Sequence, residues 1–144
     1  MRYEKVDGGY LVRLERGEEV LPMLCEFIGK RRIGGGFLVG LGAVENVTLG
    51  YYDPHEQKYT EVNFPGDYEL ANLTASIAYV DAKPFVHAHA TITDRGMNAH
   101  GGHWFSGKVA ATVECYIALA GRKFTRSLDP QVGLKLLDLK FPKL

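Results

Sequence analysis

The sequence contains two closely spaced pairs of histidines that together could bind a divalent metal ion. His87 and His89 are separated by one residue, and His100 and His103 follow shortly afterwards. Residues two apart on a β-strand point to the same face, about 6–7 Å apart along the strand. Two neutral imidazoles presented in this way can serve as two ligands of a zinc ion, which then needs a third from elsewhere. His103 or His100 is the candidate for that third ligand.

An alternative interpretation is that these histidines bind no metal and are solvated or hydrogen-bonded side chains. In the metal reading, three imidazoles leave one coordination position open, which suits catalysis as well as ligand binding. Catalysis would need a base, and Glu114 and Glu69 are the candidates. Both carboxylates have an alternative role as ion-pair partners of Arg95, Arg122 or Arg126. The residues therefore leave open whether the protein is an enzyme.

The segments around the histidines have the composition of β-structure. Residues 85–93 are apolar and β-branched and predict the strand that holds His87 and His89, with Ala88 on the opposite face. The segment Asp94-Arg95-Gly96-Met97-Asn98 is typical of a turn that brings the chain back. A long strand is expected at residues 108–120. His100 and His103 lie between that turn and this strand.

The remaining pattern predicts one helix and several further strands. Apolar side chains at helical spacing indicate the helix: Leu21, Leu24, Cys25 and Ile28. Strands are expected at 10–14, 59–64, 68–80, 124–127 and 134–139, with turns at 53–57 and 65–67. Residues 37–42 and 44–52 are expected to form one strand or two, with Gly40 and Gly42 marking a bulge or a close backbone approach. We therefore expect an α+β fold with a largely antiparallel central sheet and few helices. One helix covers little of such a sheet, so sheet curling or another subunit should bury the rest.

Composition limits the class of protein. The chain has 144 residues, of which 46% are hydrophobic, so we expect one globular domain over residues 1–144. Seventeen basic and seventeen acidic residues give a net charge of zero, which provides no overall attraction to nucleic acid. The charged start of the chain, its lack of a long apolar stretch, and two cysteines expected to be free thiols predict a cytoplasmic protein without membrane contact.

Several blocks of the sequence, in order, resemble the plant and prokaryote conserved (PPC) domain, also described as a domain of unknown function. The resemblance extends from about residue 8 to 139. The blocks are residues 42–53, Gly66-Asp67-Tyr68-Glu69-Leu70, the His87-Ala88-His89 strand, Gly101-Gly102-His103, and Thr112-Val113-Glu114. The resemblance implies a compact domain with a mainly antiparallel sheet, assembled as a homotrimer.

The same resemblance bears on the site and on possible partners. It implies that His87, His89 and His103 are the metal ligands, with His100 in reserve. Plant members carry AT hooks that bind the minor groove, but this sequence contains no Arg-Gly-Arg-Pro core. We therefore expect a trimeric protein with a three-histidine Zn²⁺ site that binds or hydrolyses an unidentified small molecule. The alternative is a DNA-associated or protein-interaction module whose histidines are structural.

Overall fold

The computed structural model describes residues 1–140. Most of these residues belong to eight strands and one helix. In chain order these are β1 (Arg2–Val6), β2 (Gly9–Glu15), α1 (Val20–Lys30), β3 (Gly36–Asp53), β4 (Lys58–Val80), β5 (Lys83–Thr93), β6 (Ala99–Leu119), β7 (Arg126–Asp129) and β8 (Leu134–Leu137). The expected fold, a mostly antiparallel sheet with one helix, is confirmed.

The main sheet curls until two of its strands meet. Its strand order is β1-β2-β6-β3-β4-β5, and β5 pairs in addition with β6. The strands β6, β3, β4 and β5 therefore form a closed ring in which every neighbouring pair is antiparallel. Closure removes exposed strand edges from this part of the sheet. It also brings the beginning of β6 beside the end of β5, where the histidines lie.

The helix α1 packs against the sheet through one apolar face. Val20, Leu24, Phe27 and Ile28 are buried in the same hydrophobic core as the strand side chains. The predicted stripe was close to this one, although Leu21 and Cys25 are only partly buried. Pro22 lies in the first turn of α1. A proline is tolerated there, because the N–H groups of the first turn have no intrahelical partner. The predicted helix is therefore confirmed.

Two long strands extend beyond the bounds that were predicted from the sequence. The expected turn at 65–67 is wrong, since β4 runs through it by a bulge opposite Asn46. Gly66 adopts a φ of +86° there, and its N–H donates to Oδ1 of Asn46 over 3.1 Å. A bulge leaves residues outside the hydrogen-bonding ladder, so Pro65 is tolerated. The strand expected to begin at 108 begins instead at Ala99.

The strand β1 was not predicted from the sequence. This strand joins β2 through the two-residue loop Asp7-Gly8, in which Gly8 has a φ of +79°. An Asp-Gly pair between two strand-like segments is a strong hairpin signal. The charged residues of β1 obscured it, because four of its five side chains are exposed.

The chain after β6 forms a small hairpin over the outer surface of the ring. At one end, Thr125 bridges Tyr79 of β4, and the Tyr79 N–H donates to the Phe124 carbonyl over 2.9 Å. At the other end, the Tyr52 hydroxyl donates to the Val132 carbonyl. The hairpin of β7 and β8 is therefore fastened at both ends next to the histidine-bearing strand.

Cys25 and Cys115 are both free thiols, as predicted. Within the described residues, no helix has the length and apolar character that a membrane crossing requires.

Candidate metal centre

Three histidines converge on the outer face of the closed ring. His87 and His89 come from β5 and His103 comes from β6. One nitrogen from each ring lies within 4.8 Å of the other two, and the ring centroids are 5.1 to 5.3 Å apart. All three side chains belong to one chain. The arrangement is compact enough for the three rings to contact one common ion.

The alternation of β5 puts two of these rings on one face. Val86, Ala88 and Ala90 are buried, while His87 is half-buried and His89 is exposed on the other side of the strand. The strand thus contributes small or branched side chains to the core and imidazoles to the outer surface. This is the placement that the sequence predicted for His87, Ala88 and His89.

The third imidazole is placed by the contact between β5 and β6. His103 pairs with His89, and its neighbour Gly102 pairs with Ala90. On its other side, β6 pairs His103 with Gly50 of β3. A Cβ atom added to Gly102 would lie 2.7 Å from the Gly50 carbonyl oxygen. Glycine at this position therefore permits the close approach of strands that brings His103 to the other two histidines.

Aromatic rings enclose the His103 side of the cluster. The ring of Tyr59 lies 5.1 Å from that of His103, and the ring of Phe105 lies 4.9 Å from it on centroid distances. Tyr59 also packs against Tyr52 at 4.8 Å. These aromatic contacts of His103 were not predicted from the sequence, because Tyr59 is far from the histidines along the chain. The only available signal was the alternation of residues 59–64.

A guanidinium group borders the other side of the cluster. Nη2 of Arg126 lies 3.3 Å from Nδ1 of His87 and 2.8 Å from the Ser76 hydroxyl oxygen. Ser76 is the residue paired with His87 across β4 and β5. From the sequence, Arg126 was expected only as an ion-pair partner of Glu114 or Glu69. The structure instead places Arg126 against a candidate ligand.

The environment keeps two of the imidazoles neutral. Burial lowers the pKa of His87 to about 4, with smaller contributions from the charge of Arg126 and from His103 and His89. Burial and the neighbouring His89 lower the pKa of His103 to about 4. Metal coordination requires unprotonated imidazole nitrogens. Both rings meet that requirement at neutral pH.

The cluster also contains a polar atom without a partner. Nδ1 of His103 is buried and has no hydrogen-bond partner among residues 1–140. Buried polar atoms are nearly always satisfied, and one that is not suggests an ion or ligand. A divalent cation held by the three imidazoles therefore fits the residues present.

The other candidates lie elsewhere. Nε2 of His100 is 3.7 Å from an Asp94 carboxylate oxygen, and its ring packs on Phe64 at 4.8 Å. His100 therefore does not join the cluster. Glu114 is exposed beside Leu11 and Leu41 in a shallow depression. Glu69 is exposed on β4, opposite Thr93.

These positions remove two expectations about the carboxylates. Within residues 1–140, neither Glu114 nor Glu69 joins the histidine cluster, so neither is placed to act as its base. The arginine ion pairs considered for them are absent there too. The physical reason is distance along the sheet: Glu114 is eleven residues from His103 on the same strand, roughly 35 Å at full extension.

Comparison with known proteins gives a family match and several structural relatives. The family model of the Plants and Prokaryotes Conserved (PCC) domain matches residues 1–120. A Bacteroides thetaiotaomicron structure, provisionally named a DNA-binding protein, is 26% identical with a TM-score of 0.91, and the match covers 95% of this chain and 96% of that one. No curated protein matches this chain by sequence.

Two further structures are 31% identical to this chain. One, from Ralstonia eutropha JMP134, is also provisionally named a DNA-binding protein; it has a TM-score of 0.89 and the match covers 95% of each chain. The other, from Archaeoglobus fulgidus, is described as a metal-containing protein; it has a TM-score of 0.84, with 94% of this chain and 97% of that chain covered.

Proposed function

This chain belongs to the Plants and Prokaryotes Conserved (PCC) domain family, and on that premise we propose that it binds Zn²⁺ through His87, His89 and His103. The observation that supports this most directly is the convergence of one nitrogen from each ring within 4.8 Å. The unpartnered Nδ1 of His103 supports it further. A structural relative described as metal-containing is consistent with the same proposal.

The chemistry of the donor set favours zinc and a ligand-binding role. Imidazole nitrogens suit zinc, and three of them leave one position of a tetrahedral ion open for a polar ligand. Hydrolysis would additionally require a base, and within residues 1–140 no carboxylate joins the cluster. We therefore propose binding of a small molecule at the open position, ahead of hydrolysis, in a cytoplasmic protein.

The metal proposal is tested by elemental analysis of protein purified without a histidine tag. Wild-type protein should contain about one zinc per chain, as expected for a three-histidine site. His89→Ala should lose the metal, whereas His55→Ala should retain it, because His55 is an exposed histidine in the turn after β3. Zinc retention by His89→Ala would refute the proposed ligand set.

The exposed side of the sheet supports self-association of the chain, and the family resemblance implies that the assembly is a homotrimer. Four apolar side chains there are at least half exposed: Leu11, Phe37, Val39 and Leu41. Leu11, Val39 and Leu41 line one shallow depression of about 710 Å³ together with Tyr3 and Tyr116. A contiguous apolar surface of this kind is typical of subunit interfaces. We propose that copies of the same chain cover it.

A second candidate function, association with DNA, has one specific observation in its favour. Four basic side chains surround a single depression: Arg31, Arg32, Arg122 and Lys123. Arg31 and Arg32 follow the C-terminal end of α1, and Arg122 and Lys123 follow β6. Arg122 and Lys123 stack on the rings of Phe124 and Tyr79 at 4.6 and 4.4 Å. Local positive charge of this kind can bind phosphates although the net charge is zero.

This alternative is tested by titrating labelled duplex DNA with the protein at several salt concentrations. If the depression binds phosphates, the affinity falls as salt increases, and an Arg122→Gln/Lys123→Gln variant weakens binding and reduces the salt dependence. Wild-type protein without affinity at low salt would exclude the DNA proposal. The zinc proposal does not depend on the result.

A further inference from the structure

The surroundings of Arg126 suggest which class of small molecule the proposed metal site takes. Arg126 is half-buried at the start of β7, and Nη1 donates to the Lys135 carbonyl over 2.9 Å. Nη2 donates to Ser76, and Nε is buried without a hydrogen-bond partner among residues 1–140. These two hydrogen bonds hold the guanidinium in a fixed position, while its Nε–H group has no acceptor among residues 1–140.

No acidic side chain of the described residues forms an ion pair with Arg126. Within residues 1–140, the salt bridges do not include Arg126. Arginine stays protonated at neutral pH, and a partly buried charge is normally paired. A cation here, 3.3 Å from His87, also repels a metal ion bound by that histidine. An anion bound here would pair with the guanidinium charge and would also offset its repulsion of the metal ion.

The hydrogen bonds of His87 lead to the same conclusion. A neutral imidazole has one N–H and one lone pair. When Nη2 of Arg126 donates to Nδ1 of His87, that lone pair is used and the proton is on Nε2. Metal coordination by either nitrogen ends this arrangement, because Nδ1 then either binds the ion or holds the proton. The Arg126 donor must find another acceptor.

We propose that the site takes an organic carboxylate, bound jointly by the metal ion and the Arg126 guanidinium; this rests on the proposed zinc site. A guanidinium matches a carboxylate in a two-point hydrogen bond, with Nη2 and the unpartnered Nε as donors. The rings of Tyr59 and Phe105, on the His103 side of the cluster, offer an apolar surface to the organic part of the ligand. Inorganic anions would leave that surface unused.

The test uses cobalt(II)-loaded protein, whose visible absorption reports changes at the metal. Benzoate is titrated as the carboxylate probe, with benzamide as its uncharged counterpart. Wild-type protein should show a saturable spectral change with benzoate and none with benzamide. Arg126→Gln should weaken benzoate binding at least tenfold while cobalt affinity without benzoate is unchanged or higher. Arg126→Lys should also weaken it, because lysine lacks the planar fork.

The matched control is Arg122→Gln, which removes an exposed cation from the same segment and should leave benzoate affinity unchanged. Retained cobalt binding shows that each variant is folded. Equal benzoate affinity in wild type and Arg126→Gln, or no benzoate effect on cobalt-loaded wild type, would overturn the carboxylate inference alone. Failure of wild type to bind cobalt and zinc would overturn the metal proposal as well.

Discussion

His89 lies directly opposite His103 across the antiparallel pair of β5 and β6, with ring centroids 5.3 Å apart. Residues opposite each other on neighbouring antiparallel strands have Cβ atoms about 4.5–5.5 Å apart, so the pairing itself fixes the separation of the two rings. A shift of one residue in register would turn one of them to the other face. The proposed zinc site therefore depends on the closure of the sheet.

His103→Gln should weaken zinc binding at least about 100-fold, because it removes one of three proposed ligands, a larger loss than altering a ligand's hydrogen-bond partner. His100→Gln is the matched control, since His100 is three residues away on β6 and contacts Asp94 and Phe64 instead. Competition with a chromophoric chelator measures both affinities. Equal losses in the two variants would contradict the assignment of His103.

Gly102→Ala should destabilise the protein by about 1–3 kcal/mol, the usual cost of overpacking, and should also reduce zinc affinity. Its new Cβ would meet the Gly50 carbonyl oxygen at 2.7 Å and force β6 away from β3 beside His103. Gly101→Ala is the comparison, because its Cβ would lie 3.4 Å from the nearest atom, an ordinary contact. Urea unfolding measures the difference, and equal stability of the two variants would show that the close approach is unimportant.

The metal-free protein should lose stability as the pH falls from about 6.5 to about 4. Unfolded histidines bind protons below their ordinary pKa of 6.5, whereas folded His87 and His103 remain neutral down to about 4. Protons therefore favour the unfolded state within that interval, and these two residues contribute no pH dependence above it. Urea unfolding at pH 7.5, 5.5 and 4.5 in the presence of a chelator measures the effect.

The contribution of the two histidines is isolated with a His87→Asn/His103→Asn variant. Its stability should depend less on pH over the same interval, while His100→Asn should behave like wild type. An unchanged slope in the double variant would show that these two imidazoles titrate normally in the folded protein.

Leu41→Glu should convert the proposed trimer to a monomer. Leu41 is 57% exposed in the single chain, and a glutamate there would have to be buried without a partner if copies of the chain pack on this surface. Light scattering should give the mass of three 16.0 kDa chains for wild type and of one for the variant. Tyr51→Glu, at another exposed apolar position of β3, should remain trimeric. A monomeric wild type would disprove the assembly.

Much of the architecture was accessible from local pattern. The alternation around His87 and His89 predicted both the strand and the shared face of the two rings, because the period of a strand is a property of the backbone. The apolar spacing from Leu21 to Ile28 predicted the helix, because the helical period is also a property of the backbone. The bulge predicted at Gly40 and Gly42 is confirmed, whereas the one at Pro65 and Gly66 was not accessible, because these residues looked like a turn and only their position opposite Asn46 keeps them within β4.

The identity of the third ligand candidate was not decided by the residues alone, since His100 and His103 had equal claims by spacing. Register decided it, because His103 faces His89 whereas His100 faces Ile92. Arg126 and Tyr59 could not be connected with the cluster from sequence, as they are 39 and 44 residues away from His87 and His103 along the chain. Sequence by itself determined strand period and helix face, which are local. Tertiary structure decided which side chains meet, because sheet closure and hairpin docking depend on contacts between distant segments.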